Sequence, residues 1–386
     1  MPFSHQLTHN IECPSTSLLA FKKLLEPCDA AALERLAQHS VATTQRYFGK
    51  TMRLFAPLYL SNECINSCAY CGFSRDNPIL RVTLDVEQMA QEATYLAEEG
   101  FRNILLVAGE HPKFVSSGYL ERCIERLRKI FPAIALEVAP MEEEEYRPLV
   151  AAGAEGLIIY QETYDRDVYR ELHTAGPKKD FDWRLDALER GYRAGFRRLG
   201  TGALFGLADW RAEATALAAH LFYLQRHCWK AQLSVSLPRL RPAAGGFKPR
   251  YEFSDRDFAQ LVFALRLTFP QIHLVMSTRE SAELRDALVP LGFSMMSAGS
   301  HTEPGGYTGQ GSQQLHQTVK GKMIASSCGG KKATEQFEIA DNRSPAVVAA
   351  VLQHLGLEPV WKDWDTAILE KEFTAMEAME GIKKGI

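Results

Sequence analysis

The chain has 386 residues, of which 46% are hydrophobic and 24% are charged, and its formal net charge is −3. This composition is typical of a globular protein with a sizeable core. It does not favour a nucleic-acid partner, because Lys and Arg are balanced by Asp and Glu and no long basic run occurs. The apolar runs are shorter than the roughly 18 residues that a membrane-spanning helix needs, so we expect no membrane span.

The predicted elements alternate between short strand-like runs and longer amphipathic helices. A helical pattern at residues 30–47 comes first. The eight candidate strands lie at residues 54–62, 103–110, 134–141, 156–163, 197–207, 231–241, 273–280 and 294–302. Helical periodicity between the strands occurs at residues 86–99, 118–130, 183–194, 211–226 and 255–267. Eight such alternations predict an α/β fold, namely a closed (β/α)8 barrel of the TIM type.

Two predicted segments flank the barrel. We divide the chain into an N-terminal helical segment at residues 1–50, the barrel at 51–305 and a C-terminal extension at 306–386. The extension begins with a Gly-rich polar stretch and contains a last helix near residues 344–355. Ser344 followed by Pro345 is a typical start for that helix.

Three cysteines follow the first predicted strand with the spacing C-x3-C-x2-C: Cys64, Cys68 and Cys71. An iron–sulfur cubane held by three thiolates keeps one iron open to another ligand. A structural zinc site would need a fourth Cys or His, usually in a second C-x2-C pair, and the sequence has no such pair. We therefore favour an open cluster, with zinc as the alternative. The five single cysteines are interpreted as core or surface thiols: Cys13, Cys28, Cys123, Cys228 and Cys328.

No secretory leader is recognised at the start of the sequence, so a disulfide framework is not expected and we predict a cytoplasmic protein whose thiols stay reduced.

The cysteine motif, in which Tyr70 precedes the last cysteine, resembles the signature of the radical S-adenosylmethionine (SAM) enzymes. The resemblance implies a [4Fe–4S] cluster whose open iron binds SAM. It also implies cleavage of SAM to methionine and a 5′-deoxyadenosyl radical. Tyr70 is accordingly assigned to cofactor binding.

Further segments resemble the aromatic amino acid lyases of this superfamily, in particular the tyrosine lyases of thiamine biosynthesis. They are residues 108–111, 160–164, 173–178, 296–300, 336–339, 343–345 and 359–365. The resemblance implies cleavage of the Cα–Cβ bond of L-tyrosine to 2-iminoacetate and p-cresol for thiazole formation. It also implies a complex with thiazole synthase and a flavodoxin or ferredoxin as reductant.

Three other readings are compared with this one. Tyrosine lyases that build a second cluster need several C-terminal cysteines, and only Cys328 follows the barrel. Tryptophan lyases share the core motifs and are the main alternative. A second alternative, from a different class, is a chain that has lost catalysis and keeps its cluster as a scaffold of the thiazole synthase complex.

The resemblance also assigns roles to residues at the ends of predicted strands, which meet at one mouth of such a barrel. Gly109 and Glu110 would bind the amino group of SAM. Glu162 would bind its ribose or its methionyl amine, and Arg184 its carboxylate. The alternatives are an ion pair at the barrel mouth for Glu162 and a surface position for Arg184.

The substrate brings a carboxylate into a partly dry pocket, where an anion needs charge-assisted hydrogen bonds. Arg279, after the seventh predicted strand, is the candidate partner, and Ser300 and Thr302 could add hydroxyl donors. An ion pair with Glu280 or Glu283 is the alternative for Arg279. Two histidines are candidate proton relays, because imidazole titrates near neutral pH: His173 and His301.

Overall fold

The computed structural model describes residues 15–324 and 331–361. Its helices are α1 Ser15–Leu24, α2 Ala30–Phe48, α3 Val86–Glu98, α4 Ser117–Leu127, α5 Glu143–Ala152, α6 Arg166–Leu172, α7 Phe181–Leu185, α8 Ala187–Ala194, α9 Trp210–His227, α10 Asp255–Thr268, α11 Ala282–Leu288 and α12 Pro345–His354. Its strands are β1 Thr51–Ser61, β2 Ser67–Cys68, β3 Ile79–Arg81, β4 Asn103–Ala108, β5 Ala133–Glu137, β6 Gly156–Ile158, β7 His173–Ala175, β8 Arg198–Gly202, β9 Gln232–Ser236, β10 His273–Met276, β11 Met295–Ser297, β12 His316–Val319, β13 Lys322–Ile324 and β14 Glu358–Val360.

Eight parallel strands form a closed barrel in the order β1, β4, β5, β6, β8, β9, β10, β11. The barrel closes where β11 pairs with β1, with Leu54 opposite Met296. The predicted (β/α)8 fold is therefore confirmed. Since all eight strands run in the same direction, their C-terminal ends and the loops that follow them gather at one mouth.

Strand β1 shows how the sequence divides its side chains between two environments. Alternate residues of a strand point to opposite faces. Leu54, Ala56 and Leu58 are fully buried in the main hydrophobic core, whereas Phe55 and Pro57 line a cavity inside the barrel mouth. The outer residues hold the barrel against its helices, and the inner residues shape the site.

The starts of several helices follow from capping residues in the sequence. The carboxylate of Asp85 accepts hydrogen bonds from the backbone N–H groups of Glu87 and Gln88 at the start of α3. Ser344 caps α12, and Pro345 occupies its first position as predicted. Helix α5 begins directly after Glu142, and residues 143–145 form its acidic first turn. Here the acidic side chains complement the helix dipole.

The eight predicted strands are all present, but each of them ends earlier than predicted. The strand predicted at 156–163 ends at Ile158, and the one predicted at 197–207 ends at Gly202. The extended backbone continues beyond these ends as single bridges, between Glu162 and Ala203 and between Phe205 and Arg239. The sequence pattern therefore predicts extended backbone correctly, but it includes residues that no longer pair with the neighbouring strands of the barrel. The helix predicted at 183–194 is split into α7 and α8 at residue 186.

The flanking segments pack on the barrel. Helices α1 and α2 lie against α10, and β14 pairs with the start of β1, with Thr51 opposite Glu358. The ring of Trp361 packs edge-on against Phe101 at 5.2 Å between centroids. The predicted domain boundaries at residues 50 and 305 stay predictions. Strand β14 belongs to the barrel sheet although it follows residue 305. Cys13 and Cys328 lie outside the described residues.

Two small sheets and one segment cover the barrel mouth. Strand β2 pairs with β7, which places Cys68 opposite His173, and β3 pairs with β12. In the segment at residues 334–341, the Gln336 N–H donates to the carbonyl of Thr302 at 2.9 Å, and the Gly72 N–H donates to the carbonyl of Gln336 at 3.1 Å. Among the described residues, none of the helices has the length and apolarity to cross a membrane.

Candidate active site

The three cysteines of the motif lie in the loop after β1. Cys68 is buried and Cys64 and Cys71 are half-buried. The side-chain amide of Asn66 lies 3.7 Å from the Cys64 sulfur, and that of Gln336 lies 4.0 Å from the Cys71 sulfur. Burial raises the pKa of the Cys68 and Cys71 thiols, and the charge of nearby Lys178 opposes this rise. The thiols thus face amide donors that would stabilise sulfur carrying negative charge.

Two adjoining cavities occupy the barrel mouth. The cysteine cavity has a volume of about 600 Å³ and is lined by Cys64, Cys68, Cys71, Gly109, Glu110, Glu137, Tyr160, Glu162, Lys178 and Arg184, among others. The larger cavity, of about 980 Å³, is lined by Tyr59, Tyr70, Cys71, Glu137, Tyr160, Glu162, Lys178, Arg279, Ser300, Thr302, Gln336 and Phe337, among others. The predicted cluster, SAM and substrate residues each line at least one of these cavities, whereas the two candidate proton relays, His173 and His301, line neither. Their individual roles stay predictions.

Gly109 sits where the end of β4 meets the cysteine loop. Its N–H donates to the Ser61 carbonyl at 3.0 Å. A Cβ atom at this position would lie 2.3 Å from the carbonyl oxygen of Glu63 and 3.3 Å from the Cβ of Cys64. The next residue, Glu110, accepts the Ile65 N–H at 2.8 Å through its carbonyl. The cysteine loop therefore lies directly on the backbone of residues 109 and 110.

Gly109→Ala is expected to lose most of the bound iron while the barrel stays folded. The added methyl group meets a backbone oxygen, so the cysteine loop must move, at a cost of about 1–3 kcal/mol. Iron content after anaerobic reconstitution, together with far-UV circular dichroism, measures both effects. Gly118→Ala is the control, because a Cβ at that position finds only the end of Arg122 at 3.8 Å. Equal iron content in the two variants would contradict the expectation.

Glu110 and Glu162 are both held by neighbours. The Glu110 carboxylate accepts a hydrogen bond from the Asn66 side-chain amide at 2.6 Å. Glu162 pairs with Lys178 at 2.6 Å and lies 3.5 Å from Arg184. Burial alone would raise the pKa of Glu162, but Lys178 and Arg184 hold it below its ordinary value. The ion pair considered for Glu162 is therefore present, and its contact with SAM stays a prediction.

Arg184 is buried, which rules out the surface position considered for it. Its Nε–H donates to the Tyr160 carbonyl at 2.6 Å. The short helix α7 directs this side chain into the cysteine cavity. The backbone of Glu162 has a positive φ of 72°, an uncommon conformation for a residue other than glycine. Such conformations persist where the surroundings enforce them and are frequent at functional sites.

Neither histidine fits the role of proton relay. The Tyr70 hydroxyl lies 2.8 Å from His173 Nε2, and His173 Nδ1 lies 2.8 Å from the Tyr169 carbonyl. Nδ1 must carry the hydrogen, so Nε2 accepts from Tyr70. Burial lowers the pKa of His173 to about 3. His173 is therefore neutral and positions Tyr70. His301 contacts Glu303 at 3.3 Å and is not among the residues that line the two cavities.

Arg279 lies in the larger cavity without a carboxylate partner in the described part of the chain. Its guanidinium lies 3.4 Å from the ring centroid of Phe337, and Nη1 lies 3.4 Å from the Arg239 carbonyl. The alternative pairing with Glu280 is wrong, because Glu280 pairs with Arg239 (Nε to Oε2, 2.9 Å). Burial lowers the pKa of Arg279, as expected for a cation in a partly dry site.

The two predicted hydroxyl donors differ in their availability. The Ser300 hydroxyl is buried and has no hydrogen-bond partner among residues 15–324 and 331–361. The Thr302 hydroxyl donates to the Phe337 carbonyl at 2.8 Å. Ser300 is therefore free to bond a ligand, whereas the hydrogen of Thr302 is already used and only its oxygen can accept.

Sequence analysis assigned no role to several cavity residues, chiefly Glu137, Tyr160 and Lys178. Glu137 ends strand β5 as an acidic residue in an otherwise apolar run. Glu110, which was assigned through the resemblance, likewise follows the end of an apolar strand, β4. Lys178 stands in the segment 173–178, which was used only for the resemblance. A search of the barrel strands for a charged residue at the C-terminal end could therefore have identified Glu137.

Comparisons with known proteins agree with this geometry. A family model described as the Radical SAM superfamily matches residues 58–217, and one described as the Biotin and Thiamin Synthesis associated domain matches residues 236–358. The 2-iminoacetate synthase of Escherichia coli (strain K12) is 43% identical over 344 residues, which cover 89% of this chain and 86% of that protein. The chain belongs to the 2-iminoacetate synthase family. The synthase of Salmonella typhimurium is 41% identical over the same shares.

Solved structures similar to this 2-iminoacetate synthase family member include the FeFe-hydrogenase maturase HydG from Carboxydothermus hydrogenoformans. HydG is 35% identical with a TM-score of 0.80, over 93% of this chain and 78% of that chain. Methylornithine synthase (PylB) has a TM-score of 0.68 at 20% identity, over 91% of this chain and 95% of that chain, which supports the fold alone. The family and its domain assign the chain to the radical SAM enzymes, and it is a radical SAM lyase.

Proposed function

We propose that Cys64, Cys68 and Cys71 hold a [4Fe–4S] cluster and that SAM binds beside it. The donor set fits such a cluster, because three thiols and two nearby side-chain amides face one cavity. The Gly109 backbone packs so closely on the cysteine loop that a Cβ atom at this position would not fit. When bound, the cluster and SAM supply the 5′-deoxyadenosyl radical that removes a hydrogen atom from the substrate amine.

The protein residues around SAM bind and orient it. Gly109 and Glu110 serve its amino group, Glu162 its ribose or amine, and Arg184 its carboxylate. Tyr70 lines the larger cavity, and its hydroxyl is held by His173. The charges support this arrangement, since Glu162 is held ionised by Lys178 and Arg184 and can accept hydrogen bonds in a buried position.

The substrate proposed for the larger cavity is L-tyrosine, which is cleaved between Cα and Cβ to 2-iminoacetate and p-cresol for the thiazole of thiamine. One observation carries this proposal: Arg279 is a half-buried cation without a carboxylate partner among the described residues, in a cavity that adjoins the cysteines. The unbonded hydroxyl of Ser300 lies in the same cavity, and Thr302 contributes an acceptor oxygen. Membership of the 2-iminoacetate synthase family supports the same product.

Thiazole synthase is the proposed partner, because 2-iminoacetate hydrolyses in water and benefits from direct transfer. A flavodoxin or ferredoxin is the proposed reductant. The cytoplasm remains the proposed compartment, since the cluster thiols must stay reduced.

An anaerobic assay that offers tyrosine and tryptophan in parallel tests the function. With reconstituted protein, SAM and a reductant, we expect p-cresol and 5′-deoxyadenosine from tyrosine, identified by mass. Cleavage of tryptophan instead would support the alternative lyase. Iron incorporation without any 5′-deoxyadenosine would support the scaffold role.

Arg279→Ala is expected to raise the KM for tyrosine by roughly 30-fold, the equivalent of about 2 kcal/mol for a lost hydrogen bond to a charged group. The KM for SAM should stay the same, because Arg279 lines the larger cavity and is absent from the lining of the cysteine cavity. Initial rates of p-cresol formation at varied tyrosine measure the effect. Arg126→Ala, at a surface ion pair with Glu87, is the control. An unchanged KM for tyrosine would refute the role of Arg279.

A further inference from the structure

Glu137 lies at the junction of the two cavities. It is the last residue of β5, and it lines both the cysteine cavity and the larger cavity. Arg279, in contrast, lines only the larger cavity. A group bound by Glu137 would therefore face the cysteines, and a group bound by Arg279 would lie farther from them.

Three carboxylates line the cavities, and two of them have partners within the protein. Glu110 accepts the amide of Asn66, and Glu162 pairs with Lys178. Within the described part of the chain, the carboxylate of Glu137 has no hydrogen-bond or ion-pair partner. Glu137 is half-buried, and a carboxylate withdrawn from water in this way normally has such a partner. An unpaired one that faces a cavity is therefore suited to bind a ligand that carries a positive charge.

The surroundings of Glu137 also favour proton transfer. Burial and the nearby charge of Glu162 raise the pKa of Glu137 to about 7, while Arg279, Arg184 and Lys178 oppose the rise. The phenol groups of Tyr59 and Tyr160 complete the titratable groups close to it. A carboxyl group that titrates near neutral pH can hold a proton or release it, as a general base does.

We propose that Glu137 binds the amino group of the amino acid substrate and accepts a proton from it, so that Glu137 and Arg279 together recognise an α-amino acid head group. This inference rests on the function proposed above. In the proton transfer, an N–H bond of the substrate ammonium breaks and an O–H bond forms on Glu137. The nitrogen keeps the electron pair and becomes a neutral amine, and no electron donor or acceptor is needed.

The placement explains why the amine, rather than another part of the substrate, meets the cysteine cavity. In the proposed reaction, a hydrogen atom is removed from the amine. Arg279 fixes the substrate carboxylate in the larger cavity, and Glu137 then holds the amine at the wall that both cavities share. The two opposite charges thus set the direction in which the substrate enters the site.

A comparison of two ligands tests this inference without relying on turnover. Binding of L-tyrosine and of 3-(4-hydroxyphenyl)propanoate, which lacks the amino group, is measured by anaerobic calorimetry on reconstituted protein without reductant. For Glu137→Gln we expect at least a tenfold weaker Kd for tyrosine, or about 1.4 kcal/mol. The Kd of the analogue should stay within about twofold of its wild-type value. The analogue has no ammonium group and therefore makes no contact with Glu137 that the substitution could remove. For Arg279→Ala both ligands should weaken, since both carry the carboxylate.

Two further measurements keep the inference open to refutation. Glu137→Asp, which keeps the charge on a shorter side chain, is expected to give a smaller loss of tyrosine binding than Glu137→Gln. The Kd for SAM and the iron content should match the wild type. Equal weakening of tyrosine and of the analogue, or a loss confined to SAM, would overturn the role of Glu137. Formation of p-cresol by the wild type is scored separately, so failure of the proposed function is distinguishable from failure of this inference.

Discussion

Cys68→Ala is expected to abolish binding of the iron–sulfur cluster, and with it the formation of 5′-deoxyadenosine and p-cresol. A cubane held by three thiolates would keep only two protein ligands. Cys123 and Cys228 cannot substitute, because the first is buried in α4 and the second is buried at the end of α9. Iron and sulfide content, visible absorption and electron paramagnetic resonance after anaerobic reconstitution measure the loss. Products are then quantified by mass.

The control for this variant is Cys28→Ala, which removes a half-buried thiol between α1 and α2. It should bind iron and cleave tyrosine as the wild type does. p-Cresol formation by Cys68→Ala at a rate near that of the control would show that Cys68 is not a ligand. A variant with full iron content but no 5′-deoxyadenosine would place Cys68 in catalysis rather than in cluster binding.

Asp341→Ala is expected to lower the free energy of unfolding by about 3–5 kcal/mol, the cost of breaking a buried ion pair from one side. Arg285 and Asp341 form an ion pair in which both side chains are completely buried. Asp341 also pairs with Arg343 at 2.7 Å. Removing the carboxylate leaves the Arg285 cation buried with only neutral partners, such as the Ser297 carbonyl. Urea unfolding, followed by circular dichroism, measures the loss.

Asp286→Ala is the matched control, because Asp286 is the outer partner of Arg343 and its side chain is 36% exposed. A partly exposed pair contributes about 1 kcal/mol or less. Asp341 belongs to the segment 334–341 that covers the barrel mouth. This segment is attached to the mouth by the N–H groups of Ala340 and Asp341, which both donate to the Thr278 carbonyl. We therefore expect Asp341→Ala, but not Asp286→Ala, to weaken tyrosine binding as well. Equal stability of the two variants would contradict the central role of the Asp341 carboxylate.

The stability difference caused by Asp341 should depend on pH in a definite direction. Burial alone would raise the pKa of Asp341, but Arg343 and Arg285 hold it below its ordinary value of 3.8. A carboxylate with a depressed pKa stabilises the folded state above its unfolded pKa, and this contribution is lost as the pH falls through the folded value. The gap between the wild type and Asp341→Ala should thus be largest near neutral pH and should shrink below about pH 4.

The sequence was sufficient to predict the barrel, because buried strands and amphipathic helices carry local patterns of period 2 and 3.6. It was also sufficient to single out the three cysteines of the motif, because their spacing lies within one loop. The strand ends were placed too late, as at residues 156–163, because extended backbone at the mouth looks the same as a ladder strand. The split of the helix at residue 186 was missed because the apolar periodicity continues across it.

Contacts between distant segments could not be predicted from one sequence. Gln336 and Phe337 reach Cys71 and Arg279 from the C-terminal extension, and no local pattern tells which loop packs on which. The pairing of Glu280 with Arg239 rather than Arg279 is of the same kind. For Arg184 the sequence left a surface position open as the alternative, because a short helix gives little periodicity from which to read its inner face.

The cover formed by residues 334–341 has a consequence for the order in which the site becomes usable. Protein synthesis proceeds from the N-terminus, and segments generally begin to fold as they emerge. The cysteine loop and all eight barrel strands leave the ribosome before Gln336 and Phe337 exist as part of the chain. A nascent chain can therefore expose its thiols early. It cannot shield a reactive carbon species from water until residues 334–341 have been synthesised and cover the barrel mouth.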